Sequence, residues 1–376
     1  MNNNKTKFNK SQGKKKKKID LVDKCGMKKS GSRKVAKYIE DHVSSKMVGK
    51  IYECGDILNM LANGNLDKKK LINGLFCKNR FCPLCAMRKA AKETFKITLM
   101  MQYVEDVHKK AFVSLTLTAP NVKANKLSDE ITKFNSAFKN LNKRKEVLPV
   151  NKGYLRKLEI TYDKEPLITH DMYYGNFEKK MEPRCDYYDK RGLKVGDKNP
   201  NYDTYHTHFH VLMAVNRSYF TDRTYINQKK WLGMWRDVMG DPTITQVFVK
   251  RLKTDNIQGG SSAGEIAKYA CKPGEYTVNK DVFDVFYAAL KGRQLLTYNG
   301  LFNDVHKLYK KFEKKKGKER EEDPFFKYIK QDETEYIYML LYQWCKDKYK
   351  EVKKRELTDE EYNEMNPHLA LELEVD

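Results

Sequence analysis

Three histidines within five residues are the first feature of the sequence that could perform chemistry. His206, His208 and His210 occupy alternate positions, and alternate residues of a β-strand project from the same face. Two imidazoles placed two residues apart on a strand can chelate one divalent ion. Surface histidines that merely form hydrogen bonds are the alternative, but the clustering of three on one face favours a metal site with His208 and His210 as ligands.

A carboxylate on a neighbouring strand would complete such a site. Residues 154–162 alternate between apolar and polar side chains, which predicts a strand with Glu159 on its polar face. Glu159 is therefore a candidate third ligand, and His206 is either its replacement or a neighbour. Imidazole and carboxylate ligands with open positions suit Mg²⁺ or Mn²⁺ acting on a phosphate, although ligand type alone does not distinguish these ions from Zn²⁺.

Four cysteines form a second candidate metal site. Cys77, Cys82 and Cys85 follow a C-x4-C-x2-C spacing, and Cys54 lies upstream with 22 residues between it and Cys77. A C-x2-C turn presents two sulfurs to one ion, and structural Zn²⁺ takes four such ligands at the corners of a tetrahedron. Buried thiols that act as small hydrophobic residues are the alternative. Three cysteines within nine residues favour the structural zinc site, with Cys54 as its fourth ligand.

A glutamate and a tyrosine share one face of a predicted helix. The glycine-rich stretch 259–264 leads into a helix predicted over residues 261–272, which Pro273 can end. Glu265 and Tyr269 are four residues apart and therefore lie one turn apart on one face. A tyrosine hydroxyl is a poor nucleophile until the reaction is polarised, but the ester it forms conserves the energy of the broken phosphodiester. Alone the two residues would be a surface pair, so their chemical role depends on the histidines.

These residues need a scaffold that positions them. The periodicity of apolar residues predicts an α+β fold with a central antiparallel sheet, the metal site on one face and helices covering the other. The predicted strands are 112–118, 154–162, 205–215 and 244–252, with a further one near 293–298. The predicted helices are 125–147, 224–239 and 261–272.

The charge balance points to a polyanionic partner. Lysine and arginine number 74 against 50 aspartate and glutamate residues among 376, which gives a net charge of +24. An excess of this size favours nucleic acid ahead of an anionic membrane surface. The length suggests two or three folding units. Basic residues beside the two candidate sites are predicted to contact DNA: Lys78, Arg80, Arg88, Lys268 and Lys272.

The sequence lacks the patterns that are typical of membrane insertion and export. The longest apolar run near the C-terminus, residues 336–342, has seven residues, far fewer than the ~20 that a membrane helix needs. The N-terminus has no apolar segment typical of a secretory signal. We therefore expect a cytoplasmic protein without a membrane partner, in which a reducing environment keeps the eight cysteines as thiols or metal ligands.

Together these motifs resemble those of the HUH endonucleases, which carry two histidines around a hydrophobic residue. The sequence is most similar to one branch, the replication initiator (Rep) proteins of rolling-circle plasmids from Gram-positive bacteria, over residues 50–310. The matching motifs, in chain order, are Cys77–Cys85, Arg156–Glu159, His208–Leu212, Glu265–Tyr269, Leu290–Arg293 and Gly300–Phe302.

This resemblance implies a metal-assisted nicking reaction on DNA. A metal held by His208, His210 and Glu159 would polarise the scissile phosphate at the double-strand origin. Tyr269 would attack that phosphate and leave a 5′-phosphotyrosyl link with a free 3′-hydroxyl, and Glu265 would activate water at termination. The implied partners are double- and single-stranded origin DNA and a host helicase.

Composition and motifs together divide the chain. We predict a basic flexible arm (1–45), a cysteine-rich zinc module (46–100), an HUH endonuclease core (108–275) and a mostly helical extension (276–376). The stretch 163–204 is longer than expected for the branch. Two rivals stay open: a transposase or relaxase of the same chemistry, and a non-catalytic zinc-containing DNA-binding protein whose histidine strand is structural.

Overall fold

The structure is a computed structural model that describes residues 19–176, 181, 183–252, 273–329 and 334–365. The helices in these ranges are α1 (Leu21–Tyr38), α2 (Ser45–Tyr52), α3 (Pro83–Asp106), α4 (Leu127–Leu141), α5 (His170–Tyr174), α6 (Cys185–Asp189), α7 (Gln228–Met239), α8 (Pro273–Tyr276), α9 (Lys280–Leu290), α10 (Leu301–Phe312), α11 (Gly317–Glu321) and α12 (Asp359–Met365). The strands are β1 (Ile57–Asn63), β2 (Lys69–Gly74), β3 (Lys110–Thr118), β4 (Gly153–Asp163), β5 (Thr204–Asn216), β6 (Val247–Leu252), β7 (Leu296–Gly300), β8 (Tyr336–Cys345) and β9 (Lys348–Glu356). None of the described helices is long and apolar enough to span a membrane.

A five-stranded antiparallel sheet, in the order β6-β3-β5-β4-β7, positions the histidines. The histidine strand β5 lies in the middle, with β3 and β4 hydrogen-bonded on either side. All five predicted strands occur, with ends that shift by a few residues. The predicted α+β class, with antiparallel strands and flanking helices, is therefore confirmed.

One face of this sheet is apolar and covered by α4 and α7, two of the predicted helices. Phe209 packs edge-to-face against Phe134 and Phe138 of α4, with ring centroids 5.3 and 5.7 Å apart. The Trp235 indole of α7 donates a hydrogen bond to the Thr118 carbonyl at 2.7 Å. Because strand residues alternate between faces, this packing turns the histidines of β5 to the opposite face.

The opposite face changes from apolar to polar along the strands. At one end, Leu155 of β4 and Leu212 of β5 are a register pair buried with apolar residues of α3 and α10. The next pairs on this face are polar. They are Lys157 with His210 and Glu159 with His208. The predicted metal site thus lies where the helical cover of this face ends.

A second, four-stranded antiparallel sheet joins the two ends of the chain. Its order is β2-β1-β8-β9, so β1 of the cysteine-rich segment pairs directly with β8. The predicted helical extension (276–376) therefore needs correction, because it contains the hairpin β8–β9 as well as helices. β8 contains three tyrosines, one isoleucine and one tryptophan, residue types that favour strands, and Lys346 adopts φ +58° in the tight turn to β9. The predicted domain boundaries stay predictions.

The flexible arm predicted over residues 1–45 also needs correction, because α1 lies within it; residues 1–18 are outside the described residues. The buried residues of α1 are Cys25, Lys29, Ser32, Val35 and Ala36. A lysine on this buried face masks its apolar periodicity in the sequence. The Lys29 ammonium lies 2.6 Å from the Asp56 carboxylate and donates to the Tyr52 carbonyl at 2.5 Å, which compensates for burying its charge.

Candidate active site and zinc site

Two adjacent strands bring three ligand atoms together on the polar part of the sheet face. β5 presents His208 and His210, and β4 presents Glu159 directly opposite His208. The Nε2 atoms of His210 and His208 lie 2.6 and 3.1 Å from the same Glu159 carboxylate oxygen. We call these three residues the triad; they are the metal ligands that the sequence predicts.

The spacing of the triad fits one divalent ion. Mg²⁺ holds its ligands octahedrally at about 2.1 Å, which puts adjacent ligand atoms about 3 Å apart. The three ligand atoms lie within 4.8 Å of one another, Glu159 is buried, and both histidines are half-buried. Imidazole and carboxylate together suit several divalent ions. The triad could therefore hold a divalent metal ion.

The electrostatics favour an ionised carboxylate at Glu159. Burial penalises the charged form, but hydrogen bonds and electrostatic attraction from the His208 and His210 rings outweigh it and hold the pKa of Glu159 well below its usual range. Metal ligands bind in their deprotonated form. Glu159 is thus ready to act as a ligand at neutral pH.

His206 stands beside the triad. Its ring centroid lies 5.3 Å from that of His208, and among the described residues only Glu159, His208 and His210 form the converging group. Burial, and then the neighbouring His208, lower the pKa of His206 to about 4. Of the two candidate third ligands, the geometry favours Glu159 and makes His206 a neutral neighbour.

Two further residues of the site escaped the sequence analysis. The Thr116 hydroxyl on β3 lies 3.4 Å from Nδ1 of His210, where it can orient the ring. Lys157 is buried on β4 and stands opposite His210 in the register; burial lowers its pKa to about 8. The alternation of β3 and β4 puts both side chains on the histidine face, but threonine and lysine are common on any polar sheet face.

The predicted nucleophile and its helix lie outside the described residues. These predicted site residues are Glu265, Lys268, Tyr269 and Lys272. The described residues on either side are attached to the histidine sheet. Leu252, at the end of β6, pairs with Phe112 of β3, and the Tyr162 amide of β4 donates to the Glu275 carboxylate of α8 at 2.9 Å. Both flanks of the segment are therefore fixed to the sheet that carries the triad.

The four cysteines converge where α2, β2 and α3 meet. The Sγ atom of Cys54 lies 3.5 Å from those of Cys82 and Cys85, and the Sγ atom of Cys77 lies 3.6 Å from that of Cys85. Four sulfurs at about 2.3 Å from a tetrahedral zinc stand about 3.8 Å apart. This cluster, the cysteine site, could therefore hold zinc, as the sequence predicts.

Surrounding donors support the sulfurs of the cysteine site. The Ser32 hydroxyl of α1 lies 3.1 Å from Sγ of Cys82. The Lys78 amide donates to Sγ of Cys85 at 3.2 Å, in a turn where Lys78 adopts φ +60°. Four thiolates around one tetrahedral ion leave no position for a substrate, which is typical of a structural zinc site.

Two of the basic residues predicted to contact DNA also make contacts within the protein. Arg80 donates to the carbonyls of Leu290 and Arg293 at 2.9 and 3.1 Å, which fixes the loop of the cysteine site to the end of α9. The Arg88 guanidinium covers the Phe76 ring at 3.6 Å from its centroid. Lys78 is exposed. DNA contact by these residues stays a prediction.

The sequence is similar to a family of replication proteins and to individual members of it. A model of the family described as "Replication protein" matches residues 68–350. A "Protein rep" from Staphylococcus aureus is 40% identical over 260 residues, which cover 69% of this chain and 96% of the relative. A "Protein rep" from Bacillus amyloliquefaciens is 28% identical over 283 residues, 70% of this chain and 73% of the relative. No solved structure matches the chain.

The matched region contains most residues of the two candidate metal sites. It begins after Cys54 and ends within β9, so it includes the triad and three of the four cysteines. The relatives bear out the resemblance to Rep initiators of Gram-positive bacteria. On the extent of the family match and the identity to the staphylococcal protein, this chain belongs to the family of Rep replication proteins.

Proposed function

We propose that this Rep protein initiates rolling-circle replication of a plasmid by nicking one strand of the double-strand origin. The observation that carries the proposal is the convergence of Glu159, His208 and His210 on one polar sheet face. Bound divalent ions are a common means of polarising a phosphate for displacement. The fold proposed for this activity is the HUH endonuclease core, which the strand order around β5 supports.

In the proposed reaction, the triad holds Mg²⁺ or Mn²⁺, which supplies Lewis-acid polarisation of the scissile phosphate. The Tyr269 oxygen attacks the phosphorus, so that a tyrosyl O–P bond forms and the P–O3′ bond breaks. The tyrosine gives up its proton, and the departing 3′-oxygen takes up a proton to become a free 3′-hydroxyl. The 5′-phosphotyrosyl link keeps the energy of the phosphodiester.

Charges of the chain support a phosphate at this place. Lys157 stands one register pair from Glu159 on the same sheet face, so it adds a positive charge beside the two histidines. The net charge of +24 suits double- and single-stranded origin DNA, which is bound largely through phosphate contacts. A host helicase is proposed from the family resemblance alone.

Termination is assigned to Glu265, four residues before Tyr269 in the sequence. A carboxylate is a competent general base and can take a proton from water. The activated water would attack the phosphorus of the regenerated origin and break its P–O3′ bond, which leaves a 5′-phosphate and a 3′-hydroxyl. That 3′-hydroxyl would then attack the phosphotyrosyl phosphorus, so that the tyrosyl O–P bond breaks, the tyrosine takes back a proton and the displaced strand is closed. This use of Glu265 needs no second tyrosine.

The test is incubation of the full chain with a supercoiled plasmid that carries its origin, in the presence of Mn²⁺. We expect open circles with protein attached to the 5′ end, and Tyr269→Phe should bind the origin but neither nick nor attach. Glu265→Ala should nick and attach in this assay, and in cells that replicate the plasmid it should yield multimeric single strands. Binding without nicking by the wild-type protein would contradict the proposal and favour the non-catalytic zinc-containing DNA-binding protein.

Mapping of the DNA-linked peptide tests the nucleophile separately. The nearest described tyrosine downstream is Tyr276, which is 1% exposed and donates its hydroxyl to the Phe81 carbonyl at 2.8 Å. A buried hydroxyl engaged in this way is unsuited to attack DNA. We therefore expect the adduct on Tyr269, and an adduct on any other tyrosine would overturn the assignment.

A further inference from the structure

A basic groove lies between α3 and α10, beside the triad. It has a volume of about 860 Å³, and a second cavity of about 420 Å³ continues it. The two share seven lining residues, among them Lys89, Lys96 and Lys310. The smaller cavity is also lined by Lys157, which stands opposite His210 in the sheet register. We call the two cavities together the α3–α10 groove; it runs from the surface to the edge of the triad.

The charge of the groove is strongly positive. Of the 20 residues that line the larger cavity, nine are lysine or arginine and two are glutamate. Glu93 pairs with Lys96 at 3.0 Å, but Lys89 and Lys310 are exposed in the groove. His306 lines both cavities. Burial lowers its pKa to about 4, and the positive charges of Lys96 and Lys310 act in the same direction. Such a surplus of positive charge fits a polyanion.

Flat rings line the same groove. Phe76 and Phe95 face the larger cavity, and Tyr298 faces the smaller one. Tyr298 stacks on His306 with ring centroids 4.1 Å apart and 22° between the planes. His306 thus covers one face of Tyr298, and the Arg88 guanidinium covers one face of Phe76. Phe95 and His306, which line the groove, are the rings on which bases of a single strand can stack, whereas the bases of a duplex are already stacked on one another. Lysines together with flat rings therefore fit single-stranded DNA better than duplex.

We infer that the α3–α10 groove binds single-stranded DNA and guides the strand to the triad. The two walls come from different parts of the chain, α3 after the cysteine site and α10 after the histidine sheet. The distance along α3 from Lys89 to Lys96 is about 10 Å, enough to follow the phosphates of a few nucleotides. The direction of the strand towards the triad rests on the proposed nicking function; the binding of single-stranded DNA does not.

The test measures binding without chemistry. A fluorescein-labelled 20-nucleotide oligothymidylate is titrated with the zinc-loaded full chain without added Mg²⁺ or Mn²⁺ and without chelator, at several salt concentrations. In the groove variant, Lys89, Lys96 and Lys310 are all replaced by glutamine. We expect its affinity to fall at least about tenfold, and the slope of log affinity against log salt to fall by about two, since each phosphate contact to a single strand contributes about 0.7.

A matched variant removes the same charge elsewhere. Lys139, Lys143 and Lys145 are exposed residues at and after the end of α4, which packs on the sheet face opposite the triad. Their replacement by glutamine should leave the affinity for oligothymidylate within about twofold of wild type, because these lysines lie outside the groove. Equal zinc content and thermal midpoints would show that both variants are folded.

Crosslinking locates the strand directly. Oligothymidylate carrying 4-thiothymidine is irradiated with the wild-type protein, and we expect crosslinked peptides from α3, β7 or α10. Equal affinities of the groove variant and the α4 variant, crosslinks confined to other elements, or a loss of affinity for a 20-base-pair duplex alone would overturn the inference. A wild-type protein that binds through the groove but never nicks would instead remove the proposed function and leave the groove assignment standing.

Discussion

The two candidate metal sites of this chain are built in opposite ways. The cysteine site takes Cys54 from the loop after α2, Cys77 from the loop after β2, and Cys82 and Cys85 from the start of α3, and its sulfurs surround the ion position. The triad takes three ligands from two adjacent strands, where the sheet register already fixes their spacing. The first site supplies four ligands, which complete a tetrahedral zinc site, whereas the triad supplies three, fewer than the octahedral coordination of Mg²⁺ takes.

This difference indicates which site contributes stability and which contributes chemistry. Ligands from separate elements come together only in the folded chain, so metal binding there adds to the free energy of folding. The strands of the triad are held by their own hydrogen bonds and by the packing of Phe209 on the reverse face. We therefore expect changes at the cysteine site to alter mainly stability, and changes at the triad to alter mainly activity.

The largest effect is expected from His210→Ala. Nicking should fall by roughly a thousandfold or more, because several kcal/mol of phosphate polarisation are lost and each 1.36 kcal/mol is a factor of ten. Zinc content and origin binding should match wild type, since binding rests on phosphate contacts. The thermal midpoint should fall by only about 2–4 °C, from the lost hydrogen bond to the buried Glu159 carboxylate. Plasmid nicking with Mn²⁺ and anisotropy on an origin duplex measure the two parts. His170→Ala, at an exposed histidine of α5, is the control and should nick normally.

Wild-type nicking by His210→Ala would show that the triad does not hold the metal. A folded variant with lost nicking would sharpen the contrast between the two sites. A variant that unfolds would break that contrast, because the triad would then contribute to stability as the cysteine site does.

The second largest effect is expected from Cys82→Ser, and it should be on stability. Structural zinc contributes about 10–16 kcal/mol in small zinc domains, so loss of one of four ligands should lower the thermal midpoint by roughly 10 °C or more. Metal analysis should show loss of about one zinc per chain. Cys185→Ser, at a cysteine outside the cluster, should keep both values. A wild-type protein that is stable but contains no zinc would contradict the assignment.

Patterns within one element predicted most of both sites. The period of two in β4 and β5 puts Glu159, His208 and His210 on one face, and antiparallel pairing of neighbouring strands brings them together. The C-x4-C-x2-C spacing predicts the local part of the cysteine site in the same way. The strand register that sets Glu159 opposite His208 could not be predicted from the sequence. For that reason the sequence left open whether Glu159 or His206 is the third ligand.

Features that depend on distant segments could not be predicted. The pairing of β1 with β8 joins opposite ends of the chain, and no local pattern encodes which strand is the partner of another. In α1, the charge of Lys29 conceals a buried face, because the sequence does not show that Asp56 will lie beside it. The α3–α10 groove likewise exists only once two separate helices stand side by side.

A smaller effect is expected from Thr116→Val, which keeps the shape of the side chain but removes the hydroxyl 3.4 Å from Nδ1 of His210. Partners that orient a metal-binding histidine change metal affinity or activity by about 10–100-fold, and the length of this contact suggests the lower end. The Mn²⁺ concentration that gives half-maximal nicking should therefore rise about tenfold, at an unchanged thermal midpoint. Ser114→Ala, on the same face of β3, is the control. Unchanged Mn²⁺ dependence would show that the sheet alone orients the ring.

The smallest effect is expected from Tyr349→Phe, which tests whether the β8–β9 hairpin supports the cysteine site. The Tyr349 hydroxyl donates to the buried Gly55 carbonyl at 2.7 Å, next to Cys54. Loss of this bond should cost about 1 kcal/mol, a shift of roughly 2–4 °C in the thermal midpoint. A chelator should then remove zinc faster, while nicking below the midpoint stays at the wild-type rate.

Tyr338→Phe on β8 is the matched control. It also removes a tyrosine hydroxyl, but it keeps the aromatic ring, whose centroid lies 4.0 Å from the Lys354 ammonium. Its midpoint should equal that of wild type. An unchanged midpoint and zinc loss for Tyr349→Phe would show that the hairpin merely lies against the cysteine site. A change in nicking at an unchanged midpoint would be the more serious result. A residue beside the cysteine site would then affect the chemistry, so the two sites could no longer be divided into one for stability and one for activity.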